Sequence, residues 1–141
     1  MAFTPEVEQA IAELRDAHPD SEVAVEDDGN GGAFVTVDPV ELGEQYTPST
    51  SWIKFQITFQ YPASDVYPLF IDPGVRRVGG PPANGTPLGE GTALTQYAEH
   101  GNPGSAIPVL QLSRRSNRLN PATDTAALKV EKVLTWLRGM Q

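Results

Sequence analysis

The sequence predicts an α+β fold: an antiparallel four-stranded meander packed on helices, in one domain spanning residues 1–141. Three observations carry this reading. Apolar residues recur at helical spacing near both ends of the chain, over Val7 to Ala17 and over Ala127 to Leu137. Between them, Trp52 to Gln60 alternates strictly, with Ile53, Phe55, Ile57 and Phe59 on one side. Upstream, Asp28-Gly29-Asn30-Gly31-Gly32 is a strong turn signal between two short β-branched runs.

The first helix starts at Thr4-Pro5-Glu6, which supplies a capping hydroxyl, a proline at the first helical position and an acid near the positive end of the dipole. Val7, Ala10, Ile11, Leu14 and Ala17 form its apolar stripe, and His18-Pro19 stops it. Strands are expected over Glu22–Glu26 and Ala33–Val37, joined as a hairpin. Asp38 to Ser51 reads as a polar loop, because Pro39 and Pro48 each remove a ladder donor. Trp52 to Gln60 is the central strand, its second face made by Trp52, Lys54, Gln56 and Thr58. A short strand over Leu69–Ile71 follows the Tyr67-Pro68 step. Residues 72–91 hold six Gly and four Pro and read as irregular chain without packed structure. Residues 92–112 show only a weak apolar pattern. The closing helix is expected from a cap at Thr123 or Asp124, with Ala127, Val130, Val133, Leu134 and Leu137 as its stripe.

Composition narrows the function classes. There is no Cys, which excludes a disulfide scaffold, a thiolate metal site and a cysteine nucleophile. No apolar run approaches the ~18 residues of a membrane span, and a cytoplasmic protein is expected. The net charge of −8 is unevenly spread: residues 1–44 carry twelve acids and one Arg, whereas the remainder carries six acids and nine bases. An acidic chain repels phosphate backbones, so nucleic acid is not an expected partner.

The candidate chemistry is sparse. Asp27, Asp28 and Asn30 lack the ligand spacing of a calcium loop, and the glycines of 79–91 precede no lysine-bearing helix, so neither a metal nor a cofactor is expected. His100 and Asn102 sit among Gly101, Pro103 and Gly104 and read as turn-forming residues. Arg114, Arg115 and Arg118 are the only basic cluster, suited to pairing with carboxylates. Ser113 and Ser116 beside them lack a surrounding nucleophile elbow. Trp52 and Tyr46 are candidates for the outer face of the sheet; the alternative, Trp52 covered by the first helix or the polar loop, stays open at this point.

Phe55-Gln-Ile-Thr-Phe-Gln-Tyr-Pro-Ala-Ser-Asp-Val-Tyr-Pro68 resembles the third strand and following turn of the ubiquitin-conjugating (E2, UBC-like) superfamily. His100-Gly101-Asn102-Pro103 is similar to the His-Pro-Asn triplet that precedes that family's catalytic cysteine, and Asn120-Pro121-Ala122-Thr123-Asp124-Thr125 to the segment opening its post-catalytic helix. The run from Ser113 through Asn120-Pro121 into a helix ending Leu134-Thr135-Trp136-Leu137 is similar to divergent bacterial members. The departures are as informative. Counting from Asn102 to the place of the catalytic cysteine lands on Val109-Leu110, and Gly101 stands where the family has Pro.

The resemblance therefore implies a degenerate E2 site near His100, Asn102, Val109, Leu110 and Ser113, without a catalytic residue. It implies a non-catalytic, E2-variant-type protein that binds a ubiquitin-like protein or an E1 or E2 partner in a bacterial conjugation-related pathway. Trp52 would be a contact anchor on the outer sheet face, and Arg114, Arg115 and Arg118 would meet the carrier's acidic tail. Two alternatives stay open. One is an active conjugating enzyme whose cysteine has been replaced, with Ser113 or Ala106 in its place. The other is an interaction module of the same fold with no link to ubiquitin.

Overall fold

The computed structural model describes residues 3–79, 88, 91–98, 104, 106–113, 120 and 124–139. Helix α1 (Pro5–Ala17) is followed by β1 (Glu22–Asp27), β2 (Ala33–Glu41), β3 (Tyr46–Thr47), β4 (Thr50–Ile57), β5 (Leu69–Ile71), β6 (Arg76–Arg77), β7 (Thr92–Ala98), β8 (Ala106–Leu112) and α2 (Ala126–Arg138). Six strands form one sheet in the order β1-β2-β4-β5-β8-β7, and every neighbouring pair is antiparallel. β3 and β6 make a separate two-stranded ribbon. The α+β class holds, but the expected four-stranded meander does not. β1-β2-β4-β5 is extended by the β7–β8 hairpin, which inserts β8 beside β5 and leaves β7 at the edge.

That hairpin is faint in the sequence for physical reasons. Residues 93 to 96 of β7 are exposed on both faces, so they carry no apolar alternation. In β8, Val109 and Leu110 are both buried because both faces of the strand are covered there. Pro108 fits because it lies beyond the three residues that β8 pairs with β5, where no ladder donor is needed on that side.

Both helices pack on one face of the sheet. Val7, Ala10, Ile11 and Leu14 of α1 and Val130, Val133, Leu134 and Leu137 of α2 share a core with Val35, Val37, Ile53, Phe55 and Ile57. Ala17, expected on the α1 stripe, is exposed in the last turn. Phe59 is also a correction: it is 48 % exposed, because β4 ends at Ile57 and the chain turns at Thr58 to Tyr61 before the alternation reaches it. The hairpin turn is held close to β4. A Cβ at Gly32 would collide with the Ile57 carbonyl oxygen, so only glycine fits there.

The segment read as a polar loop is largely structured. β2 continues through Pro39 to Glu41, pairing Val40 with Ser51 and Glu41 with Thr50 across a register shift that follows Val37. A bulge of this kind accommodates a proline that an even ladder would reject. Likewise, residues 72–91 are not uniformly unpacked: Val75 and Leu88 are fully buried, and Arg76–Arg77 pairs with Tyr46–Thr47. No helix among the described residues is long and apolar enough to cross a membrane.

The α2 cap is Thr125, whose hydroxyl accepts from Leu128 N–H at 3.1 Å; Asp124 instead accepts from Asn120 N–H at 2.7 Å, and Thr123 lies outside the described residues. Two tyrosines then fix the helix at its ends. The Tyr61 hydroxyl accepts from Ala126 N–H at 3.0 Å, and the Tyr46 hydroxyl donates to the Leu137 carbonyl at 2.6 Å. The first satisfies a backbone group that the helix itself leaves unpaired, and the second adds a side-chain donor to a carbonyl of the last turn. Tyr46, expected as an outer-face residue, is therefore a core residue, only 1 % exposed.

Burial pushes both phenols above their ordinary value, partly offset by Arg77 beside Tyr46 and by the Ala126 N–H at Tyr61. A raised folded-state value means that the fold prefers the neutral phenol. This contribution is complete below pH ~10 and is lost as pH rises through the raised values. We expect chemical denaturation between pH 8 and 12 to show this alkaline loss. Tyr46→Phe should cost about 1–2 kcal/mol at pH 8, because the Leu137 carbonyl loses this donor, and should flatten the loss above pH 10.

Candidate functional site

The sheet face opposite the helices is the most distinctive surface. Its side chains follow from register. Ala24 lies opposite Thr36, Thr36 opposite Lys54, Lys54 opposite Phe70, and Phe70 opposite Gln111. One row thus crosses five strands. Next to it, Glu26, Phe34 and Gln56 form a parallel row. Trp52 extends the line of Lys54 along β4, opposite the register shift that β2 makes after Val37.

The face is concave. Tyr97 of β7 and Ala24 of β1 come from opposite edges of the six-stranded order, yet both line one pocket of about 80 Å³ with Glu26, Phe34, Thr36 and Lys54. The short β5, which pairs only two residues with β4, permits the sheet to curl this far. The Phe70 and Tyr97 rings stack with centroids 4.4 Å apart. Phe70 and Val109 are 6 % and 1 % exposed, yet both stand apart from the helix-side core. They make a small apolar floor on the outer side.

Polar groups in the concavity are oriented. Lys54 Nζ donates to Thr36 Oγ1 at 3.0 Å and stands 5.2 Å from the Trp52 ring centroid. This is a cation–π arrangement that holds the indole and the ammonium together. Gln56 Nε2 donates to Asp28 Oδ2 at 3.0 Å, tying the face to the β1–β2 turn. Glu22, Glu26 and Asp27 of β1 give one border an acidic character. Half-buried aromatics around a small recess, with an oriented cation and an acidic border, are chemically suited to contact with a protein surface. A second recess, where α2 begins beside Tyr61, Asp65 and Lys129, has room for only about 10 Å³, the space of one water at most. Among the described residues, no three His, Asp or Glu side chains converge on a metal position.

Of the residues singled out from sequence, Trp52 lies on this outer face, half-buried. Val109 and Leu110 are consecutive residues of β8 on opposite faces, both buried. A side chain at either place is shielded from water. Ser113 is exposed just after β8; its N–H donates to the Gly91 carbonyl at 2.8 Å and its hydroxyl accepts from Gln111 Nε2 at 3.0 Å. His100, Asn102, Arg114, Arg115 and Arg118 lie outside the described residues. Sequence reasoning missed Phe34, Phe70 and Tyr97 as outer-face residues. Phe34 was legible, since it alternates with the core residues Ala33 and Val35. Tyr97 was not, because its strand carries no pattern.

Comparison with protein-family models, with curated proteins and with solved structures finds no match to this chain.

Proposed function

We propose that this chain is a non-catalytic binding domain of the E2-variant type, which uses the outer face of its sheet to hold a ubiquitin-like protein. The observation that carries the proposal is the concave outer face, where Trp52 and Lys54 stand together beside Phe34 and Tyr97 with no helix among the described residues over them. The order helix, antiparallel strands, Tyr-Pro step and closing helix supports the UBC-like assignment. In it, β1-β2-β4-β5 corresponds to the meander and β7–β8 is an addition. The absence of cysteine, and the burial of Val109 and Leu110 where the resemblance puts the nucleophile, favour binding over conjugation. An apolar patch bordered by cations is the partner surface that would complement Trp52, Phe34 and the acids of β1. The arginines 114, 115 and 118 would then engage the acidic tail of the same partner.

The test is calorimetric titration with ubiquitin and with the ubiquitin-like proteins of the same genome. Trp52→Ala should weaken the dissociation constant by roughly tenfold or more, as truncation of an aromatic anchor does. Glu8→Lys, on the exposed side of α1, should leave it unchanged. Equal affinities for Trp52→Ala and the parent chain, or a loss confined to Glu8→Lys, would move the contact off this face.

A further inference from the structure

The two edges of the sheet differ in chemistry. β1 exposes an edge that carries Glu22, Glu26 and Asp27. Charges of this kind blunt an edge strand, since a second copy would bring acid against acid. β7 has no such protection. Its seven residues, Thr92 to Ala98, contain no charge, no Pro and no Gly, and β8 behind it is uncharged as well. In a chain of net charge −8, these two strands carry no charged side chain. Among the described residues, no strand pairs with the outer side of β7.

The hydrogen-bond phase of that edge follows from the hairpin. The Ser113 N–H donates to the Gly91 carbonyl, and Gly91 lies opposite Ser113 in the β7–β8 register. Antiparallel pairs alternate, so the backbone of Ala93 and Thr95 faces β8 while that of Leu94 and Gln96 faces outward. Thr95 is the midpoint of β7. A two-fold axis beside it sets the outward groups of Leu94 against those of Gln96 of the other chain. Thr95 then meets its own counterpart in a Thr–Thr pair.

Leu94 supplies the apolar part. It lies opposite Leu110 and so points to the helix side, but it is 45 % exposed beyond the reach of either helix. It borders an open depression of about 470 Å³ with Pro73, Gln96 and Pro108. In the Thr95-centred register the two Leu94 side chains are diagonal neighbours across the axis, within contact distance for long side chains.

We propose that β7 is a self-association edge, at which two copies of this chain join their sheets antiparallel about Thr95. The occupant is a second copy because the edge is self-complementary in register and carries no charge to repel itself, whereas the acidic β1 edge opposes such pairing. This inference is independent of the outer-face reading.

Sedimentation equilibrium and backbone hydrogen exchange test it on the full chain. The parent protein should sediment at twice its 15.2 kDa monomer mass at tens of micromolar, with Leu94 and Gln96 amides more protected at high concentration than at low. Thr95→Lys places like charges opposite each other at the axis and should weaken dimerisation by roughly tenfold or more. Gln96→Pro removes an outward donor while leaving the bonds to β8, and should do the same. Lys substitution of Glu26, on the other edge, should not. A parent chain that stays monomeric at high concentration overturns the proposal and leaves the edge open to a strand of another protein. So does a dimer equally tight in Thr95→Lys and Gln96→Pro.

Discussion

Phe55→Ala should lower the free energy of unfolding by about 3–5 kcal/mol. Phe55 is fully buried at the centre of β4, opposite Val35 of β2, and packs toward Ile11 and Leu14 of α1 and the α2 stripe within one continuous core. Removing the ring deletes its transfer free energy and leaves a void. The void cannot collapse freely, because β4 is fixed to β2 by a register that runs on both sides of the site. Urea unfolding followed by circular dichroism should show a lower midpoint with an unchanged slope. Phe59→Ala removes an equal ring from a residue 48 % exposed in the following turn, and should cost less than about 1 kcal/mol. Similar costs for the two would contradict the placement of the core.

Asp65→Ala should cost about 2–3 kcal/mol. Lys129 occupies the buried stripe of α2 and is 6 % exposed, with its Nζ 3.0 Å from Asp65 Oδ2. Removing the carboxylate deprives a desolvated ammonium of this counter-charge, a loss of about 3–5 kcal/mol when a pair is fully buried. The figure here is smaller because the Asp65 side chain keeps a fifth of its surface in water. Lys129→Met should come close to the parent stability, since an apolar chain of similar length fills the same place without a charge to desolvate. The double variant should recover most of the Asp65→Ala loss. Additive costs in the cycle would mean that the pair is not coupled.

The parts of the fold legible in the sequence are those where one pattern met one environment. Ile53, Phe55 and Ile57 alternate because, among the described residues, helices cover one face of β4 alone. The α1 boundaries follow from Thr4, Pro5 and Pro19, local devices that need no tertiary partner. What escaped were elements whose environment mixes the two faces. Val109 and Leu110 form an apolar pair within a strand because the outer face has its own small floor. Ala93 to Gln96 lacks a pattern because this part of the edge strand is exposed on both sides. Tyr46 and Lys129 carry polar groups that are buried only because a distant group receives them: the Leu137 carbonyl in one case and Asp65 in the other. Of the candidate site, Trp52 was legible from its place in the alternation. Its company, Phe34, Phe70 and Tyr97, depends on a sheet curvature that spacing alone does not encode.

The most direct measurement of the proposed binding face is a nitrogen-15 NMR titration of the labelled chain with a ubiquitin-like protein. Shifts should gather on Phe34, Thr36, Trp52, Lys54 and the Trp52 indole, the outward positions of β2 and β4, and spare the exposed side of α1. Shifts confined to α1 or α2, or no response at millimolar partner, would contradict the account.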